Sequence, residues 1–205
     1  MRLKWEFRLT ERWSTNKSLI LRARNPDDAQ AWGDFVRFYK PFMLHVLRRM
    51  NVPESDSEDV VQNILLKIWR SIASYDAEKG RFRTWLSAVV RNAVFDQFTK
   101  VGRRRELEEK EAAAFQMLKG EPASEIDRRI EQEWARHVTS LALDRIRKLF
   151  SAEAVNCFTM SLDDTPASAI AAELSLAVDS VYTLKSRVKA RFIKEIKAIV
   201  DELEG

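Results

Sequence analysis

The sequence has little glycine and little proline, with five of each among 205 residues. Together they fall well below the ~12% of average usage. Sandwiches and barrels need many tight turns, so this shortage argues against β architecture and favours helices. No apolar run approaches the ~18 residues of a membrane span, and the first residues lack the apolar segment of a secretory signal. We therefore expect a soluble, cytoplasmic protein without a membrane span, and the single cysteine suits a reducing compartment.

The side chains that metal sites and nucleophilic catalysis require are also scarce. The two histidines, His45 and His137, lie far apart, and neither has a second His or Cys at metal-ligand spacing. Cys157 lies among apolar neighbours, as a packed thiol does. No glycine-rich phosphate loop is present. We expect no enzyme activity, no metal and no cofactor.

Apolar residues instead recur at three- and four-residue steps, the period of an amphipathic helix. The pattern predicts helices over about 28–50, 55–73, 81–100, 126–149, 152–161, 166–174 and 179–199. Pro41 should kink or interrupt the first helix. A capping box is expected at 55–58, and Thr165 is expected to cap the helix that Pro166 opens. The sequence thus predicts an all-α protein of two small helical domains, over 20–102 and 128–200, joined by an acidic linker over 103–127.

Charge is strongly segregated along a chain whose net charge is only +4. Residues 79–105 hold eight bases and one acid, and residues 179–197 hold six bases and two acids. Between these segments, residues 106–133 hold nine acids and four bases. Two basic segments around an acidic connector favour two surfaces that meet a polyanion over merely solvated helix faces.

Three segments carry recognisable patterns. Residues 59–69 read DVVQNILLKIW, residues 75–86 read YDAEKGRFRTWL, and residues 181–188 read VYTLKSRV. The third segment lies on the longer helix of a short-helix, tight-turn, long-helix arrangement, which is the helix-turn-helix pattern.

In this order and spacing, the three segments resemble the extracytoplasmic-function (group 4) branch of the sigma-70 family of bacterial transcription initiation factors. The resemblance implies that 20–102 is sigma region 2 and 128–200 is sigma region 4. It also implies core RNA polymerase and promoter DNA as partners, with an anti-sigma factor expected as a further one. Two positions depart from the family: Ser175 stands where glycine is common in the turn, and Ala169 stands where glutamate is common.

The resemblance assigns a core-polymerase contact to the helix that holds residues 59–69. Acidic and polar side chains on its exposed side would meet basic groups of the partner, with Ile64 or Leu65 adding apolar area. The residues assigned to this contact are Glu58, Asp59, Gln62, Asn63 and Lys67.

The loop and helix that follow would handle the promoter −10 element, where unpaired bases stack on aromatic faces and polar groups read their edges. Core packing is the better interpretation for Trp85, while Asn92 is evenly balanced between packing and base contact. Phosphates would be attracted by Arg83, Arg91, Lys100 and Arg103–Arg105. The residues assigned to −10 DNA are Tyr75, Asp76, Lys79, Arg81, Arg83, Asn92, Asp96 and Gln97.

The last helix would read the −35 element from the major groove. Arg187 is the expected base reader, because a guanidinium can bond two acceptors of one guanine. Lys189 and Arg191 would meet phosphates. The residues assigned to −35 DNA are Ser180, Tyr182, Thr183, Lys185, Ser186, Arg187, Lys189 and Arg191.

Two other classes of protein share part of this pattern. A helix-turn-helix regulator would bind duplex DNA without sigma activity, and a helical adapter would bind a protein without DNA. Initiation of transcription with purified core enzyme separates both from a sigma factor.

Overall fold

The structure is a computed structural model that describes residues 19–76, 78, 81–104 and 123–204. These residues form helices and no strand, which confirms the predicted all-α class. The α-helices are α1 (Leu19–Ala23), α2 (Ala29–Arg49), α3 (Glu54–Ser71), α4 (Phe82–Arg104), α5 (Ala123–Leu149), α6 (Ala152–Leu162), α7 (Ala167–Leu174) and α8 (Val178–Glu204). A 3-10 turn (Ile72–Ser74) follows α3.

Helices α2, α3 and α4 pack around an aromatic core. Phe35 stacks on Tyr39, with ring centroids 4.4 Å apart, and Phe82 meets Tyr39 edge-on at 5.6 Å. Pro41 lies inside α2, and the helix continues past it to Arg49. The helix therefore does not restart at the proline as one alternative had it.

Helix α5 contacts helices of both predicted domains. It contacts α2 and α4 on one side and α8 on the other, and one continuous apolar core holds buried residues of all of them. It begins at Ala123, so residues 123–127 of the predicted linker are helical; residues 105–122 lie outside the described part. The division into domains at 102 and 128 stays a prediction.

Helices α7 and α8 meet at an angle of 102°. Three residues separate them, and the first, Ser175, ends α7 in the left-handed conformation, at φ 54° and ψ 42°. The buried thiol of Cys157 on α6 packs with Ile170 and Val181 beneath this corner. The angle and the short turn are those of a helix-turn-helix unit.

Two predicted helix caps are wrong. Helix α3 begins at Glu54 with Pro53 as its N-cap, so Ser55 lies inside the first turn and its hydroxyl bonds the Asp56 carboxylate instead. Helix α7 begins after Pro166, which takes the N-cap position expected for Thr165, and no side chain caps it. In both cases the proline sits at the boundary, because its fixed φ and missing N–H suit a helix start.

Within the described residues, no single helix is long and apolar enough to cross a membrane. The bent pair of α7 and α8 meets that requirement only when both helices are taken together, by length and composition.

Candidate nucleic-acid interface

The basic face of α8 is exposed over its first three turns. Val181 and Val188 are fully buried and fix which way the helix faces. Tyr182 is the most exposed large apolar side chain of the described residues, at 58%. The other −35 residues are exposed as well, except for a half-buried Lys185: Ser180, Thr183, Ser186, Arg187, Lys189 and Arg191. The structure thus leaves most of the predicted set accessible, although the Thr183 hydroxyl donates to the Asp179 carbonyl 3.0 Å away.

Arg191 differs from its neighbours on α8 because it is already paired. Its guanidinium Nε and Nη2 donate to the Glu195 carboxylate at 2.7 and 2.6 Å. That carboxylate is nearly buried and also forms an ion pair with the Arg145 guanidinium of α5. Arg191 therefore helps to neutralise a buried charge, in addition to the phosphate role predicted for it.

The exposed side of α3 carries an apolar strip beside the predicted polar set. Glu58, Asp59, Gln62 and Asn63 are exposed, and Lys67 is half-buried. One and two turns further along lie Leu66, 52% exposed, and Trp69, 39% exposed. The sequence instead predicts the apolar contribution at Ile64 or Leu65.

Ile64 is fully buried and Leu65 half-buried, because the core stripe of α3 runs through Val61, Ile64 and Ile68. The assignment to Ile64 is therefore wrong. Leu66 lies two positions beyond Ile64, which on a helix turns it about 200° from the buried side. Helical spacing from Gln62 and Asn63, at four and three residues, would have identified Leu66.

Polar side chains of α4 reach across to α3. The Lys67 ammonium lies 2.6 Å from the Asp96 carboxylate, and the Gln97 amide donates to Asp56 at 3.3 Å. Lys67 and Asp96 were assigned to separate surfaces, and the structure joins them. One residue predicted for the polymerase contact and one predicted for −10 DNA therefore form an ion pair.

Two residues predicted to contact −10 DNA are buried. Tyr75 is 9% exposed, with its ring edge-on to Phe82 at 5.3 Å. A ring packed this way offers no face to a base. Arg83 is 6% exposed, and its Nη1 donates to Glu131 of α5 at 2.8 Å. The structure therefore places both in the packed interior, contrary to the surface position expected.

The other −10 residues lie near the surface. Arg81 and Asn92 are exposed, so Asn92 is not held by packing. Asp76 is half-buried, and its carboxylate accepts from the backbone N–H of Glu78 at 3.0 Å. Lys79, and the side chains of Lys100 and Arg103–Arg105, lie outside the described part of the chain. Trp85, half-buried against the core, packs as expected.

One titratable group is buried where α5 meets α2. The His137 Nε2–H donates to the backbone carbonyl of Phe38 at 2.9 Å. Burial lowers the pKa of this imidazole, and the hydrogen bond opposes part of that effect. Among the described residues, His, Cys, Asp and Glu side chains form no group of three or more that could hold a metal ion.

Comparisons of the sequence with sigma factors match part of the chain. The family model for sigma-70 region 2 matches residues 35–104, which span α2, α3 and α4. The RNA polymerase sigma factor NccH of Alcaligenes xylosoxydans xylosoxydans is 31% identical over 83 residues. That alignment covers 40% of this chain and 44% of NccH, so the chain matches less than half of that relative.

A solved structure of CnrH in complex with the cytosolic domain of CnrY aligns over 88% of this chain and 96% of its own. The identity is 19% and the TM-score 0.34, too low to support an argument about this chain. Residues 35–104 of this chain therefore match sigma-70 region 2, and the chain is similar to RNA polymerase sigma factors.

Proposed function

We propose that this protein is a transcription initiation factor that binds core RNA polymerase, directs it to specific promoters and assists strand opening. The observation that carries the proposal is the match of residues 35–104 to sigma-70 region 2. Helices α7 and α8 support it, because their 102° corner presents an exposed basic helix that fits a major groove.

Core polymerase would bind the exposed side of α3. Asp59, Gln62 and Asn63 supply polar contacts there, and Leu66 and Trp69 supply apolar area. A surface that combines polar side chains with exposed apolar area is typical of a specific protein interface.

Promoter DNA would meet two surfaces. The −35 element would lie against α8, where Arg187 reads a base and Lys189 binds phosphate. The −10 element would lie along α4, where Arg81 and Asn92 are exposed. As the family resemblance implies, an anti-sigma factor would be the partner that restrains this activity.

Transcription in vitro with purified core polymerase tests the proposal. Because the promoter is unknown, fragmented genomic DNA serves as template and transcript starts are mapped by sequencing. We expect transcripts that start at a small set of sites sharing −35 and −10 sequences, only when the protein is added. If starts appear only when another sigma factor is present, the protein is a regulator and the proposal fails.

The double variant Asp59→Arg with Gln62→Ala tests the proposed contact between α3 and core polymerase. Both side chains are exposed, so the fold should survive, as circular dichroism can check. We expect it to lose co-purification with core enzyme and the promoter starts together. Undiminished binding by the folded variant would remove α3 from the proposed polymerase contact.

A further inference from the structure

Helix α8 exposes two apolar side chains near its N-terminus. Tyr182 is 58% exposed, whereas the other two tyrosines of the chain, Tyr39 and Tyr75, are buried in the aromatic core. Val178, 41% exposed, lies four residues before Tyr182, so both side chains lie on one side of the helix. We call Val178 and Tyr182 the apolar strip. Because the strip lies outside the core, its apolar area is available to a partner.

The backbone beside the strip is fixed by packing. Val181, the neighbour of Tyr182, is fully buried and packs with Cys157 and Ile170 under the corner between α7 and α8. The backbone N–H of Val181 donates to the Ala177 carbonyl at 3.2 Å. Successive residues of a helix turn by about 100°, so the burial of Val181 fixes the side on which Tyr182 projects.

The apolar strip lies where the second helix of a helix-turn-helix unit reaches bases. Helix α8 begins at Val178, which makes Tyr182 its fifth residue. Side chains in the N-terminal part of such a helix contact base edges in the major groove. Ser186 lies one turn beyond Tyr182 on the same side, and both Ser186 and Lys189 are exposed. Polar and basic groups therefore accompany the strip on the surface that would face DNA.

Thymine offers the chemistry that matches an apolar side chain in this groove. Base edges in the major groove present hydrogen-bond donors, acceptors and one kind of apolar group, the C5 methyl of thymine. Stacking on a ring requires an unpaired base, which a duplex does not offer. Contacts to phosphate and sugar position a protein without reading sequence. The apolar strip therefore fits a thymine methyl better than any other group of a duplex.

We propose that Tyr182 is a specificity-determining residue whose ring packs on the C5 methyl of one thymine in the −35 element. The inference rests on the proposed function, since it takes α8 to lie in the major groove of −35 DNA. The contact depends on the area of the ring and not on the phenol hydroxyl, and Val178 adds apolar area on the same side. Tyr182 and Arg187 then read chemically different bases, a thymine and a guanine.

Deoxyuridine tests this contact without a change in the protein, because it pairs as thymidine does and lacks only the C5 methyl. Promoter duplexes carry the −35 element shared by the mapped transcript starts, and each −35 thymine on either strand is replaced in turn. The protein is used as its complex with core polymerase, and competition binding gives the relative affinities. We expect about fourfold weaker binding when one particular thymine is replaced, since one methyl group is no longer buried.

Three variants identify the side chain responsible. Tyr182→Phe keeps the ring and should show the same fourfold difference between the two duplexes. Tyr182→Ala should bind the thymine and uracil duplexes equally at that position. Lys189→Ala, at an exposed position of the same helix, is the matched control: it should bind both duplexes more weakly and keep the fourfold difference. Circular dichroism checks that each variant is folded.

The inference is overturned if the −35 element contains no thymine, if no replacement weakens binding, or if Tyr182→Ala keeps the fourfold difference. Loss of the difference in Tyr182→Phe also overturns it, because the hydroxyl would then be the reader. A Tyr182→Ala variant that loses binding to core polymerase assigns the apolar strip to a protein contact and overturns it as well. All of these results leave the proposed function standing. If purified core enzyme gives no transcript starts with this protein, both fall.

Discussion

The backbone conformation of Ser175, at the corner between α7 and α8, lowers the stability of the folded protein. A β-carbon disfavours its left-handed φ of 54°, whereas glycine adopts this conformation freely. We predict that Ser175→Gly raises the free energy of unfolding by about 0.5–1 kcal/mol in urea titrations. Ala172→Gly, at an exposed position inside α7, should lower it by about 1 kcal/mol. Loss of stability in both variants would contradict the prediction.

His137 should make stability depend on pH. Its pKa in the folded protein is lowered by burial, so the unfolded chain, with a pKa near 6.5, takes up a proton that the folded state resists. We predict that stability is complete above pH 6.5 and falls as the pH drops toward the folded pKa, by up to about 1.4 kcal/mol per pH unit. Urea unfolding at several pH values measures this slope.

The variant His137→Gln should flatten that slope, because an amide does not titrate and can still donate to the Phe38 carbonyl. His45→Gln serves as the control, since His45 is exposed. If both variants keep the full slope, another group causes the pH dependence.

The burial of Tyr75 and Arg83 shows what single residues in a sequence do not reveal. Both follow patterns that suit a DNA contact. Their burial is decided by partners far along the chain: Arg83 pairs with Glu131, 48 residues later. Local spacing predicts which residues share one side of a helix. It does not predict which distant helix packs against that side.

Within helix α8, two arginines lie in different surroundings. Arg187 is exposed, while Arg191 is held by Glu195. We predict that Arg187→Ala costs about 1–3 kcal/mol of −35 binding and relaxes the preference at one base pair. Lys189→Ala should weaken binding to all sequences alike and reduce the salt slope by about one unit. Selection of −35 variants with each protein measures both effects, and equal preference profiles would assign Arg187 to phosphate.

Helix α3 exposes Leu66 on the side proposed to meet polymerase. We predict that Leu66→Ser weakens core binding by about 1–2 kcal/mol, roughly tenfold, because an apolar side chain no longer leaves water on binding. Leu21→Ser is the matched control, since Leu21 on α1 is 43% exposed. Fluorescence titration with core enzyme gives both affinities, and an equal effect of the two changes would contradict the assignment.

The helices themselves were largely predictable from apolar spacing. The stripe through Val181 and Val188 on α8, and that through Ile64 and Ile68 on α3, are buried as their period requires. Helix starts were less predictable, because Pro53 and Pro166 compete with neighbouring serine or threonine for the cap. Periodicity reports burial over many residues, whereas a boundary depends on one or two.

For the whole molecule, a composition shift between 102 and 128 indicates two domains, yet one apolar core runs through α2, α4, α5 and α8. Trp134 links the halves by packing on Tyr39 and Phe42. Charge and linker composition cannot reveal this, because the contact depends on rings about 95 residues apart (134 − 39). Apolar spacing therefore predicts the helices, whereas the packing of one helix on another depends on residues far apart in the chain.

We predict that the protein unfolds in urea as a single transition, seen alike by tryptophan fluorescence and circular dichroism. Trp134→Ala should cost about 3–5 kcal/mol at the shared core and separate the transition into two. Trp69→Ala, at a 39% exposed position, should leave one transition. Two transitions in the unmodified protein would contradict the prediction.

The contact between α1 and α8 has a consequence during synthesis on the ribosome. Leu19 and Ile20 share a core with Ile199 and Leu203, although 180 positions separate Leu19 from Ile199 (199 − 19). At about 5–20 residues per second, α8 is synthesised roughly 10–35 s after α1. Until then part of its apolar surface is open to chaperones and to other nascent chains. Synonymous codons that slow translation should therefore lower the yield of folded protein when they precede α8.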